Sequence, residues 1–288
     1  MSSAITRRVA ACILACVSAI ASPALAQEAT PHAGVASASL CADAYVLAVI
    51  PGQEVGALSW QADQPVSAAP PWSRALPKAW PDAGRLLVLS PDLTVFAAGE
   101  GGRTARLLDR AGLPHVELVW TDDFDGVRAN LRALGEAAGY PDRAANAVAD
   151  IDRRLAALEA RHAMRAREPR IVYLSASGGS AGAGTFVDAA ITAAGAINVV
   201  AEQGATGWTR SDPEFALTLE ADIVLTSFLV DGYASTFNRA RRHAAYRRLL
   251  DHPARIDVPA GLWPCAGPGL MEAAERIADA IDAWEETQ

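Results

Sequence analysis

The chain has 288 residues, 51% of them hydrophobic, with four cysteines and a formal charge of −8. That composition excludes collagen-like, disulfide-knot and largely disordered classes, and the length suggests two domains with enough core to need no staples. Lys78 is the one lysine among 25 basic residues and no basic cluster is threaded with aromatics, so nucleic acid is not an expected partner.

Residues 1–26 read as a secretory signal rather than as fold. Arg7 and Arg8 form a basic start, an apolar run extends from Val9 to Ile20, and Ala24-Leu25-Ala26 is a small-residue cleavage site before Gln27. The run is too short to span a bilayer comfortably, and no later stretch approaches the roughly 20 apolar residues of a transmembrane helix. The expectation is an exported product in the periplasm. Cleavage removes two arginines and no acids, which takes the charge from −8 to −10, and it leaves Cys41 and Cys265 as the remaining cysteines. Both fall where a predicted strand gives way to a helix. In an oxidising compartment such a pair is expected to close into a disulfide; the alternative is two separate, small buried residues.

From residue 35 short apolar runs alternate with helical periodicity. Strands are predicted at 35–40 and 55–58, with a helix at 42–50 between them and a Pro- and Trp-rich loop over 61–81. A helix ending at 89, a strand at 93–97, a helix at 102–111, a strand at 116–119 and a helix at 124–138 follow. Such alternation indicates a parallel, helix-covered sheet.

The stretch 141–167 differs: it has no glycine and carries its proline in the first turn. Ala144, Val148, Ile151, Leu155, Leu158 and His162 recur at helical spacing on one face. It reads as a rigid connector between two lobes, with a long core helix of one domain as the alternative. Beyond it the alternation resumes: strand 171–174, a Gly/Ser-rich loop 175–184, helix 185–194, strand 197–200, helix 213–219, strand 223–226, helix 238–250, strand 255–258 and a last helix over 269–284. The organisation is thus a signal (1–26), an N-terminal α/β lobe (35–140), a linker helix (141–167) and a C-terminal α/β lobe (168–288). In fold class these are two Rossmann-like lobes with mostly parallel sheets.

Gly178-Gly179-Ser180-Ala181-Gly182 satisfies G-x-S-x-G between a strand and a helix, the context of a hydrolase nucleophile. It keeps one alternative open, an exported serine hydrolase acting through Ser180. Against it, no histidine follows the last predicted strand, and two residues intervene before the helix. The five histidines are scattered without ligand spacing, so neither a metal nor a cofactor is expected. The aromatics say more. Trp60, Trp72, Trp80, Trp208 and Trp263 fall in predicted loops after strands or before helices, where indole faces suit a large, flat, partly apolar ligand. In open α/β sheets ligands bind beyond the carboxyl ends of the strands.

With these residues in place, the sequence resembles the class III substrate-binding proteins of ABC importers, which capture vitamin B12, haem and iron-siderophores, and its cobalamin-binding branch most. The resemblance rests on Ser39-Leu40-Cys41-Ala42-Asp43, Ala57-Leu58-Ser59-Trp60, Leu89-Ser90-Pro91-Asp92-Leu93, Ala183-Gly184-Thr185-Phe186-Val187-Asp188, Gly207-Trp208, Leu219-Glu220-Ala221-Asp222-Ile223-Val224 and Trp263-Pro264-Cys265-Ala266-Gly267-Pro268, in that order around one linker helix. It implies a non-catalytic protein holding a corrinoid, haem or ferric siderophore between lobes that move little. It also implies delivery to an ABC transporter permease through one acidic residue per lobe. Glu214 matches in the C-lobe; in the N-lobe the matching position is Gly84, with Asp82 the nearest acid.

Overall fold

The structure is a computed structural model that describes residues 33–210, 212–227 and 242–288. The expected signal segment and the first residues of the predicted 238–250 helix lie outside the described residues. Two all-parallel sheets organise the chain. In the first, β1 (Val35–Ser37), β2 (Val55–Ser59), β3 (Lys78–Ala79), β4 (Leu93–Phe96) and β5 (His115–Glu117) lie in the order β3-β2-β1-β4-β5. In the second, β6 (Arg170–Ser175), β7 (Ile197–Asn198), β8 (Ile223–Ser227) and β9 (Arg255–Asp257) lie in the order β7-β6-β8-β9. Both have helical crossovers, so the chain forms two α/β lobes.

Local chemistry explains most boundaries. The predicted 35–40 strand stops at Ser37 because the Ser39 hydroxyl accepts the Ala42 N–H and caps α1 (Leu40–Val49). Asp82 caps α2 (Ala83–Leu89), which α3 (Gly102–Ala111) follows after β4, and Asp123 caps α4 (Phe124–Ala138). Gly139 ends α4 at φ 78°, a conformation that costs glycine little. Two short elements escape the sequence pattern. β3 hides inside the predicted 61–81 loop, and the predicted 197–200 strand is only two residues long, because Asn198 caps a helical turn, α7 (Val199–Glu202).

The predicted 141–167 helix is α5 (Pro141–His162), five residues shorter than predicted at its C-terminal end. It stops where Arg165 turns inward: its guanidinium, 4% exposed, donates to the carbonyls of Ala194 and Ala278 and to Asp282. The predicted apolar stripe is the buried face, with Ala144, Val148, Ile151 and Leu158 in the core. The first half of α5 is seated on the N-lobe. A side chain at Gly135 of α4 would meet the Ala144 methyl 2.4 Å away, so only glycine allows this approach, and Arg143 Nε donates to the Val49 carbonyl at 2.6 Å. The second half is strapped to α10 (Leu270–Glu285) of the C-lobe: Arg154 pairs with Glu275, and Arg161 with Asp279 and Asp282. One apolar core runs from α1 and α4 through α5 to α10 and α6 (Phe186–Ala193), so the helix is packed into both lobes along its length. No described helix is long and apolar enough to cross a membrane.

Candidate functional site

The start of α1, just beyond the carboxyl end of β1, is joined to the connection that follows β9. Cys41, in the first turn of α1 just beyond β1, is bonded to Cys265, which follows β9, with the Cα atoms 5.4 Å apart. Beside it the Tyr45 hydroxyl donates to the Ala266 carbonyl at 3.0 Å. Burial pushes the Tyr45 hydroxyl up to about 12, against a hydrogen bond from Asn130, so it keeps its proton at neutral pH and remains a donor. Asn130, buried on α4, grips the backbone of Val119 as well, accepting its N–H and donating to its carbonyl, both at 2.9 Å. The chain beyond β5 is thereby tied through Tyr45 to the other lobe. Cys265 and Ala266 adopt φ of 50° and 49°, a left-handed conformation that costs non-glycine residues energy and is held here by the disulfide and the Tyr45 contact.

A second buried anchor sets α1 on its sheet. Asp43 accepts from the Ser59 N–H at 2.8 Å and from its hydroxyl at 2.6 Å. Burial holds the Asp43 carboxyl above the usual carboxylate range, with Ser37, Ser59 and Lys78 pulling the other way. This fixes the end of β2, and with it Trp60.

The tryptophans divide into three kinds. Trp60 follows β2 directly and is 43% exposed; Trp80 follows β3, half-buried, with the Arg85 guanidinium 4.1 Å over its ring. Trp208 is 48% exposed, on the segment 206–209 that pairs with residues 180–183 of the loop after β6. Trp60 and Trp80 thus stand at the carboxyl ends of their strands. Trp263 is different: at 1% exposure it presents no face to a ligand. It packs against Tyr173 and Phe186, whose rings in turn meet Trp208 at 6.3 and 5.0 Å, so it backs the ring that is exposed. The sequence gives no warning, because a loop tryptophan can also be the plug under the loop. Trp72 also departs from expectation. Its ring lies against Gly52, before β2 begins, at the amino end of that strand.

The loop rule omits Trp120, although it directly follows the predicted 116–119 strand. It stands 63% exposed beyond β5, its indole N–H held by Asp122 at 2.7 Å. Asp82 and Glu214 are both exposed, each near the start of a short helix, α2 and α8 (Pro213–Thr218). The reading of Ser180 as a nucleophile fails on geometry. Its hydroxyl is buried and donates to the Tyr173 carbonyl at 2.5 Å, and the chain around it runs extended against 206–209 instead of turning straight into a helix. Among the described residues no group of three or more His, Cys, Asp or Glu side chains is gathered for a metal ion.

The family model described as "Periplasmic binding protein" matches residues 77–261, well over half of the sequence. The chain belongs to the periplasmic binding protein family. A cobalamin-binding protein of Halobacterium salinarum is 29% identical over 150 residues, which are 51% of this chain and 41% of the halobacterial protein. Among solved structures, the periplasmic haem-binding protein HutB of Vibrio cholerae superposes with a TM-score of 0.70 at 18% identity, over 87% of this chain and 99% of that one. The periplasmic vitamin B12-binding protein BtuF of the same organism gives 0.63 at 19%, over 89% and 99%. At such identities the two structures speak for the fold. This family and these neighbours are solute-binding proteins, not enzymes.

Proposed function

We propose that the protein is an exported solute-binding protein of an ABC importer, taking a large planar ligand into the cleft between its two lobes and delivering it to a membrane permease. The observation that carries this is an exposed tryptophan in each lobe, Trp60 directly after β2 and Trp208 on the segment paired with the loop after β6, in a member of this family. A small sugar or amino acid does not need such stacking area. Among planar ligands a corrinoid is favoured over haem or a ferric siderophore, on the halobacterial relative and on the sequence likeness to the cobalamin-binding branch. Glu214, and Asp82 in place of the family's usual N-lobe acid, are proposed to meet the permease. Both are exposed, and Glu214→Ala should lower uptake in a salt-dependent manner without changing ligand affinity.

Titration with cyanocobalamin, followed by tryptophan fluorescence, tests the cleft. Quenching that saturates at one ligand per chain, and a Trp208→Ala variant weakened about tenfold, are the expected results, since each stacking contact contributes on the order of 1 kcal/mol beyond the area it buries. Unchanged affinity in both Trp60→Ala and Trp208→Ala would move the site elsewhere.

A further inference from the structure

The geometry points to a side pocket of the cleft, beyond β4 and β5, that accepts a neutral, N–H-bearing arm of the ligand and discriminates against a carboxylate in the same place. This rests on the planar-ligand reading above and adds a specificity element to it. The pocket is a cavity of about 100 Å³ lined by Ala97, Ala98, Glu100 and residues 118–121, with the Cys41–Cys265 bond and Tyr45 behind. It is open past Val119 and Trp120, which are 61% and 63% exposed. It is too small for a whole drug-sized ligand, which needs roughly 300 Å³ or more, and its size suits one projecting arm.

The chemistry of the lining decides what that arm must be. Each side-chain donor in the wall is already committed. The Tyr45 hydroxyl donates to the Ala266 carbonyl, the Thr121 hydroxyl to the Asp123 carbonyl, the Asn130 amide to Val119 and Tyr45, and the Trp120 indole to Asp122. The Val119 backbone is taken at both its N–H and its carbonyl by Asn130. Among its side chains, what the wall still offers is an acceptor. Glu100 folds back so that one carboxylate oxygen takes the Ala97 N–H at 3.3 Å, and the other has no hydrogen bond among the described residues. A carboxamide can donate to that oxygen while its carbon stem lies against Ala97, Ala98 and Trp120. A carboxylate there would meet like charge and find no uncommitted side-chain donor, and covering the site with ligand removes the water that would screen the repulsion. The pocket therefore favours a planar ligand fringed with amides over one fringed with carboxylates.

Dissociation constants of the whole mature protein for cyanocobalamin, for its monocarboxylate derivatives (one side-chain amide hydrolysed) and for hemin provide the test, in wild type, Glu100→Gln and Trp120→Ala. Both substituted side chains are exposed, and thermal melts report whether the fold is retained. The wild type should bind cyanocobalamin at least about tenfold more tightly than at least one monocarboxylate, a difference of the size expected for one mispaired charged group. Glu100→Gln should close that gap to within about threefold, because a neutral side chain removes the like charge that a carboxylate arm would meet. Trp120→Ala should weaken cyanocobalamin. Tight cyanocobalamin binding with no discrimination, or with a gap that Glu100→Gln leaves intact, overturns the pocket and leaves the cleft standing. Preference for hemin also overturns the pocket but retains a planar ligand. Failure to bind any of the probes overturns both readings.

Discussion

Removing the Cys41–Cys265 bond, with the double variant Cys41→Ser and Cys265→Ser, should destabilise the protein without unfolding it. The bond closes a loop with a sequence separation of 224. The chain-entropy relation for a loop of that length gives about 5 kcal/mol at 25 °C, and measured disulfides more often contribute about 2–4 kcal/mol. The lower range is expected here, since the lobes are also joined by α5, by a shared core and by Tyr45, all of which persist in the variant. For a domain of this size that corresponds to a drop in Tm of roughly 5–15 °C. Urea melts of the wild type with and without reductant, and of the double variant, measure it, with thiol counting on denatured, unreduced protein as the direct check. Two free thiols per chain, or a wild-type midpoint indifferent to reductant, would refute the reasoning.

Trp263→Ala should cost about 3–5 kcal/mol, as large-to-small changes of buried aromatics do. Trp263→Phe should cost far less, because the indole N–H it removes is buried without a partner among the described residues, and equal urea midpoints for the two variants would contradict this. Asp43 supplies a pH signature. Burial raises its carboxyl in the folded state, so its contribution to stability is present below the ordinary value of 3.8 and is lost as pH rises through the folded value. Asp43→Asn keeps an acceptor for the Ser59 N–H, and its stability relative to wild type should rise with pH across the acid range; a difference constant with pH would contradict the assignment.

The pattern of residues was most legible where burial follows a period. The apolar stripe of α5, from Ala144 to Leu158, has the spacing of a helix and is the face that the structure buries. The end of that helix was not legible, because it depends on Arg165 reaching carbonyls at 194 and 278, contacts with no local signature. The tryptophans expected in loops lie in the connections between the main elements, Trp60 and Trp72 in short 3-10 turns and Trp208 in a bridge with Ala181, but position in a connection does not specify depth. Trp60 and Trp208 stand open while Trp263, two residues before the cysteine that is stapled to the other lobe, is pulled under. The Asn130–Tyr45–Ala266 relay joins residues separated by 85 and 221 positions, and nothing in a single sequence marks such partners. Glycine patterns mislead in a related way. The run around Ser180 has the letters of a nucleophile turn, yet Gly182 serves close approach to the Ala205 carbonyl, where a side chain would lie 2.4 Å away.

The central claim, capture of a large planar ligand between the lobes, is tested most directly by the visible absorption spectrum of protein purified from its native organism. The account predicts a corrinoid band that co-elutes with the protein at one chromophore per chain and is released on denaturation. Protein that carries no chromophore as isolated, and that shows no spectral or fluorescence change on adding cyanocobalamin, hemin or a ferric siderophore, would contradict it.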